Sequence, residues 1–294
     1  MQLGKHRCAV LGSPIAHSLS PVLHRAGYRR LNLDGWDYCR RDVTQDGLQA
    51  FIDSLDQECA GLSLTMPLKK TIMPFGKPSD TWSRALKVAN TAIFHWQDGT
   101  GMRPDISLYN TDVEGIVRAL EHAEGGADRS NLHDAVVIGS GNTAASAIAA
   151  CAELGMGHVD IVARNEAASA RLRGLSETLS MTASTWPMDR VAKDIDERRF
   201  VISTLPSHAA DPLASLWRKA GMALNATVLD VVYKPRPSMF VETCRQLGAA
   251  VITGEEMLIY QAIPQLALMT RTAQADMPSD LDETMRKAVQ EALR

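Results

Sequence analysis

The segment AVVIGSGNTAASAIAACAELG, residues 135–155, carries an apolar run into Gly139, Gly141 and Ala144, spaced as G-x-G-x-x-A, and on into an alanine-rich stretch. That order suits a dinucleotide. The first glycine permits a tight turn, the second lets backbone approach a pyrophosphate, and the alanine keeps a helix close to a sheet, while the helix N-terminus offers unpaired N–H groups to phosphate. A strand-to-helix turn without a ligand shares the local pattern, and the flanking apolar run and helix tilt the reading towards the ligand. The next apolar segment, HVDIVARN, residues 158–165, should end beside the adenosine ribose. There an acidic residue selects NAD and an arginine accommodates the extra phosphate of NADP. Asp160 precedes Ile161 and Val162 and so falls inside the strand, which leaves Arg164 at the tip. A guanidinium there can pair bidentately with a 2′-phosphate, although an ordinary solvated arginine is the plainer reading.

Near the N-terminus, G-S-P-I-A-H-S-L-S-P-V-L-H, Gly12 to His24, sets Ser18 and Ser20 at the mouth of a helix. Ser20 reads as the N-cap and Pro21 as the first helical residue. Two hydroxyls at the positive end of a helix dipole can hold a carboxylate, yet capping alone would account for Ser20. His17 in the same loop reads more readily as a histidine bonded to backbone than as a catalytic base.

The elements that must position these side chains alternate along the chain. Short apolar runs (Cys8 to Leu11, Leu62 to Leu64, Ala135 to Ile138, Val159 to Ala163, Phe200 to Ile202 and Thr227 to Val232) are separated by longer helical patterns. This is the rhythm of an α/β protein, in which parallel strands buried on both faces read as continuous apolar runs. Five such strands between Val136 and Ile252 would build one doubly wound sheet. The polar segment Glu121 to Asn131 reads as a domain junction. After it, Gly254 to Ala273 and Leu281 to Arg294 carry apolar residues at helical spacing, with Pro264 expected to bend or restart the first of these helices.

Composition narrows the classes further. The 294 residues hold 31 Lys+Arg against 34 Asp+Glu, a formal net charge of -3, with 45% hydrophobic and 22% charged residues. That length suggests two domains, and the mild negative charge argues against a general nucleic-acid binder, which makes small molecules the expected partners. Five widely spaced cysteines without a C-x-x-C indicate neither a disulfide framework nor a clustered zinc site, so no metal is expected and the compartment should be reducing. With no signal-like N-terminus and no long apolar span, the expectation is a soluble cytoplasmic protein without membrane partners. A homodimer is the commonest closed oligomer, though no apolar helix here compels one.

Taken together, seven ordered motifs resemble the shikimate dehydrogenase family over nearly the whole chain. They are P-I-A-H-S-L-S-P (Pro14 to Pro21), S-L-T-M-P-L-K (Ser63 to Lys69), A-N-T (Ala89 to Thr91), Y-N-T-D-V-E-G (Tyr109 to Gly115), G-S-G-N-T-A (Gly139 to Ala144), L-D-V-V-Y-K-P (Leu229 to Pro235) and G-E-E-M-L-I-Y-Q-A (Gly254 to Ala262). The resemblance implies NADP-linked interconversion of 3-dehydroshikimate and shikimate. It also implies an N-terminal α/β substrate-binding domain, residues 1–112 completed by helices in 254–294, an NADP-binding Rossmann domain, residues 113–253, and an active site in the cleft. The catalytic lysine of the family matches Lys69 and its partner aspartate matches Asp112. By the same carry-over Ser18, Ser20, Thr65, Asn90, Asp112, Tyr233 and Gln261 would surround shikimate, and Gly139, Ser140, Gly141, Asn142, Thr143, Arg164, Val231 and Gly254 would lie on the cofactor.

The residue types suit that chemistry. A small ring with one carboxylate and three hydroxyls needs neutral donors for the anion and groups that both donate and accept, which Ser, Thr, Asn, Asp and Gln supply. Reduction of a ring ketone needs a proton at the developing alkoxide, a role for a protonated Lys69. Plainer roles stand beside these. Lys69 can be a surface cation, Asp112 a helix cap, Asn90 and Thr91 a turn, Tyr233 a packed aromatic and Gln261 a solvated helix residue.

Some positions depart from the pattern commonest in the family. Arg25 and Ser63 stand where asparagine is usual, Ala163 where asparagine is common, and Ser238 where threonine is frequent. Two rivals remain, a quinate-utilising enzyme that prefers NAD and a non-catalytic dinucleotide-binding sensor. Arg164 argues against the first, and the pairing of Lys69 with Asp112 against the second.

Overall fold

The computed structural model describes residues 6–97, 103–123, 134–188, 199–221 and 223–294. Most of the segment expected to hold a domain junction, residues 124–131, lies outside them, and the division of the chain falls earlier, between Thr111 and Asp112, so Glu121 to Asn131 is not the junction. The chain divides into two compact units, Met1–Thr111 with Leu258–Arg294, and Asp112–Met257.

The first unit opens with β1 (His6–Gly12), α1 (Ser20–Arg30), β2 (Trp36–Asp42), α2 (Leu48–Asp53), β3 (Cys59–Leu64), α3 (Leu68–Thr71), β4 (Lys77–Pro78), α4 (Thr81–Leu86), β5 (Thr91–His95) and β6 (Asp105–Tyr109). The second comprises α5 (Asp112–Ala123), β7 (Asp134–Ile138), α6 (Asn142–Glu153), β8 (His158–Val162), α7 (Glu166–Thr178), β9 (Thr182–Trp186), β10 (Arg199–Ser203), α8 (Asp211–Ala220), β11 (Thr227–Asp230), α9 (Met239–Gln246) and β12 (Ala250–Thr253). Then α10 (Gly254–Thr270) leads back into the first unit, which α11 (Leu281–Ala292) completes.

In the first unit the strands lie in the order β2-β1-β3-β5-β6-β4. Strand β1 pairs in parallel with β2 and β3, and β5 runs antiparallel to both β3 and β6. One face packs over Leu11, Leu48, Leu62, Leu68, Ile72, Phe94 and Leu108. Burying each leucine of that cluster contributes about 2 kcal/mol before entropic costs. Helix α11 buries Leu281, Met285 and Val289, one helical stripe, and packs on α1.

The second unit is a doubly wound parallel sheet, ordered β12-β11-β10-β7-β8-β9, with the strand order reversing between β7 and β10. Register pairs Ile138 with both Val162 and Ser203, so the carboxyl ends of β7, β8 and β10 reach one sheet edge together. Ligands of such sheets bind at that edge and at that reversal. Helix α6 fits closely against the sheet because its alanines, Ala144 to Ala150 among them, are buried without bulk.

Two local expectations need correction, and a third is narrowed. Among the described residues the sheet has six strands, the sixth being β9. Its sequence TASTW is polar because it forms an edge whose residues are exposed or half-buried, so it lacks the apolar run that marks its neighbours. Helix α1 begins at Ser20, with Leu19 as N-cap, so Ser20 is not the cap and Pro21 is not the first helical residue. Leu19 already has helical backbone angles, and the early N–H of Ser20 is met by Ser18 Oγ at 3.3 Å. At Pro264 the restart does not occur, since α10 is one helix from Gly254 to Thr270. Buried packing of Ile259, Ala262, Leu266 and Met269 along the same helix outweighs the one backbone bond that proline removes. Among the described residues, no helix is long and apolar enough to cross a membrane.

Candidate functional site

Gly139 leaves β7 with φ of +121°, and a Cβ there would overlap Thr204 Oγ1. Only glycine makes this turn without strain. Its N–H donates to Val162 O at 2.8 Å, which ties the turn to the end of β8, and Thr204 N–H donates to Ile138 O at 2.8 Å, which ties it to the end of β10. Gly141 follows as the N-cap of α6, with no side-chain capping bond and open space where its Cβ would be. The first N–H groups of α6, from Asn142 and Thr143 on, therefore have no side-chain cap competing for them. A phosphate would fit there by charge and by hydrogen bonding. Arg171 on α7 donates from Nη2 to Ser140 O at 3.1 Å and steadies the same loop.

Asp160 lies inside β8, buried, with Oδ1 3.0 Å from His158 Nε2. Arg164 is exposed beyond the strand end, and Asn165 after it caps α7 by accepting from Ala168 N–H at 2.9 Å. A cation beside a helix start, next to the glycine turn, fits a phosphate-bearing ribose. Val231 and Gly254 meet directly, since a Cβ on Gly254 would come within 2.5 Å of Val231 O. Just before Val231, Asp230 is buried and accepts from Ser238 Oγ at 2.7 Å; burial pushes its carboxyl pKa up and the Ser238 bond opposes the shift. Ser238 also caps α9 through Val241 N–H, so it does the work a threonine would do there. Tyr233 is half-buried beyond β11.

In the first unit, Ser18 and Ser20 are buried with their hydroxyls 3.3 Å apart. Arg40 Nε donates to Ser18 O at 2.7 Å and fixes that loop, a contribution that nothing in the sequence pattern announced. His17 is exposed. Thr65 donates its N–H to Leu11 O at 2.9 Å, and Lys69, half-buried on α3, accepts at its carbonyl from Ala89 N–H at 2.9 Å. That last bond sets the backbone of Lys69 beside the Asn90 strand start. Asn90 is buried, and its Nδ2 donates to Thr111 Oγ1 at 2.9 Å and to Gln261 Oε1 at 3.4 Å. Asn90, Thr111 and Gln261 thus come together. Gln261 is buried, not solvated, and donates from Nε2 to Leu258 O at 2.8 Å. Asp112 is buried as the first residue of α5, so its carboxylate stands in the first turn, where the helix dipole favours negative charge, and not at the cap.

Behind these lies a polar network that motif reading did not find. Tyr38, Ser63, Gln265 and His24 are buried together, with Tyr38 OH donating to Ser63 Oγ at 2.7 Å and Ser63 Oγ donating to Gln265 Oε1 at 2.7 Å. The shorter side chain of Ser63 is engaged by Tyr38 and Gln265, and Arg25, another of the asparagine replacements, pairs with Asp37 at 3.1 Å on the surface. A glutamine amid QAIPQLALM, an otherwise apolar helical stretch, was the one available signal for Gln265.

A reversal-point glycine turn with an arginine beyond the second strand, joined to a separate unit of buried hydroxyls and amides, defines a two-domain α/β protein of the nicotinamide-dinucleotide-binding class. Comparisons narrow this. The family model described as shikimate dehydrogenase substrate binding domain matches residues 10–92. A shikimate dehydrogenase (NADP(+)) of Synechococcus sp. is 31% identical, with 88% of this chain and 86% of the relative covered. The crystal structure of the Mycobacterium tuberculosis shikimate dehydrogenase superposes with a TM-score of 0.80 at 31% identity, covering 98% of this chain and 99% of that one. A shikimate 5-dehydrogenase from Thermus thermophilus, solved in complex with NADP(H) and shikimate, is 25% identical with a TM-score of 0.75, covering 96% of this chain and 99% of that one. The chain belongs to the shikimate dehydrogenase family.

Proposed function

We propose that this protein catalyses the NADP-dependent, reversible reduction of 3-dehydroshikimate to shikimate. The observation that carries the reading is the full-length likeness to NADP-linked shikimate dehydrogenases, joined to a glycine turn that offers helix N–H groups to phosphate and an exposed arginine beyond β8. When bound, the nicotinamide supplies or accepts the hydride. Gly139, Ser140, Gly141, Asn142 and Thr143 would hold the pyrophosphate and Arg164 the 2′-phosphate, and Val231 and Gly254 would lie against the cofactor. Residues 113–253 would form the cofactor domain, and residues 1–112 with 254–294 the substrate domain.

Around the substrate, Ser18 and Ser20 would donate to the carboxylate, and Thr65, Asn90, Tyr233 and Gln261 would bond the ring hydroxyls. Lys69 would give its Nζ proton to the carbonyl oxygen as hydride reaches the carbon, and take it back in the oxidative direction. Asp112 would hold that ammonium in place. Such proton transfer accelerates reactions about 10²- to 10⁴-fold. We assign this enzyme to the cytoplasm; a homodimer is the commonest closed oligomer, and light scattering of the purified chain reads whether it forms one.

The deciding experiment is a steady-state assay crossing shikimate and quinate with NADP and NAD. Turnover dominated by shikimate with NADP is expected. A preference for quinate with NAD would keep the chemistry and overturn the specificity, and no turnover in any combination would overturn the enzymatic reading.

A further inference from the structure

Amide side chains have a donor end and an acceptor end, and which end faces a ligand decides what that ligand must offer. In the first unit the orientation of every amide near Asn90 can be traced to a fixed backbone group. Gln265 Nε2 lies 3.2 Å from the carbonyl oxygen of Asn90, which can only accept, so this end of Gln265 is the amide nitrogen and the other end is Oε1. On Oε1 converge Ser63 Oγ at 2.7 Å and His24 Nε2 at 3.3 Å, both of which must therefore donate. Ser63 Oγ, its own proton spent, accepts from Tyr38 OH at 2.7 Å.

On the other side Gln265 Nε2 donates to Thr91 Oγ1 at 2.9 Å, and Thr91 passes its proton to Asn90 Oδ1 at 2.9 Å. Thr111 N–H, a donor only, reaches the same Oδ1 at 2.9 Å. Asn90 thus presents Nδ2 towards Gln261 Oε1. All the bonds of the chain Tyr38, Ser63, Gln265, Thr91, Asn90, Gln261 point the same way. His24 agrees with this polarity. Its ring is stacked on Tyr38 with centroids 4.0 Å apart, burial pushes its pKa down to about 3, and its Nδ1 is buried without a partner. A bare lone pair at Nδ1 is what the Nε2–H tautomer leaves there.

We propose that Gln265 is a positioning residue: the backbone groups of Thr111 and Leu258 set the polarity of the Asn90–Gln261 pair, and Gln265, bonded to the Asn90 carbonyl and through Thr91 to Asn90 Oδ1, holds that pair in place to meet the substrate hydroxyls. The proposal rests on the assignment of Asn90 to the substrate site. Gln265 touches no reacting atom. It acts through Thr91 and Asn90, and the network behind it includes Ser63 at the position where the family usually has asparagine.

The test combines three variants with one spectroscopic measurement. Gln265→Met keeps the volume and removes both amide roles, while Tyr38→Phe deletes the first donor of the chain, farther from Asn90, without changing its ring. Loss of one or two oriented hydrogen bonds should raise KM for shikimate about 5- to 50-fold in Gln265→Met and by a smaller factor in Tyr38→Phe, with KM for NADP within about twofold of wild type. In the intact protein, ¹⁵N shifts of His24 should report the Nε2–H tautomer. A proton on Nδ1, or equal rises in both KM values, would overturn the proposal. Asn90→Ala separates the two levels. If it leaves KM for shikimate unchanged, the site assignment falls and the inference with it. If it raises KM while Gln265→Met and Tyr38→Phe do not, the inference alone falls.

Discussion

Lys69 and His24 show how differently two titratable side chains can be used in one unit. Lys69 is half-buried, and its backbone is tied to Ala89 next to Asn90, a placement suited to a side chain that must exchange a proton with a bound molecule. Replacing it by alanine should lower kcat for shikimate about 10²- to 10⁴-fold and leave KM for shikimate within a few-fold, as expected for a group that acts in the transition state. An unchanged kcat in steady-state assays would remove it from the mechanism. His24 is sealed against Tyr38 and Gln265, and burial holds its pKa at about 3 against 6.5 for an ordinary histidine. The folded state thus refuses a proton that the unfolded chain accepts. The stability this represents is full above pH 6.5 and is lost as pH falls from there towards 3, at most tenfold in the folding equilibrium per pH unit. Urea titrations between about pH 7 and 5 should show that slope, and it should flatten in His24→Phe whatever that variant does to absolute stability.

The element that matters most is the turn from β7 into α6, because two glycines there serve different physical ends. At Gly139 a side chain meets both a positive φ and Thr204, so Gly139→Ala should destabilise the second unit and lower Tm by several degrees. Gly141 has open space before it, so Gly141→Ala should leave Tm of the ligand-free protein nearly unchanged while weakening NADP, where the added methyl intrudes on the approach to phosphate. Calorimetry with and without NADP separates the two. Equal losses of Tm in both would mean that the turn is purely structural. The flanking elements follow the same logic. Asn165 and Ser238 cap α7 and α9 at the carboxyl edge of the sheet, and each cap is worth about 1 kcal/mol to the helix it starts.

For the molecule as a whole, two units with separate sheets give a linkage test that needs no assay of turnover. A ligand that binds only the folded protein raises its stability, by about 2.7 kcal/mol at a hundred times its Kd. At equal concentrations NADP should therefore raise Tm more than NAD does, and Arg164→Ala should bring the two shifts together. Equal shifts in the wild type would deny Arg164 its phosphate. Much of this architecture was open to the sequence alone, because its determinants are local. A strand, a glycine turn and a helix occupy one continuous stretch, residues 135–155, and strands buried on both faces must be apolar throughout, so β1, β3, β7, β8, β10 and β11 announce themselves. Arg164 could be placed beyond β8 simply by counting past Val162. The edge strands β2 and β9 stayed hidden because most of their residues are exposed or half-buried, so neither forms the continuous apolar run that marks a strand buried on both faces. Only the tertiary structure could decide the start of α1, the passage of α10 through Pro264, and the network in which His24 meets Gln265 across 241 positions. Such contacts are selected by packing and by the satisfaction of buried polar groups, and both depend on which distant elements share a core, information that no local spacing contains.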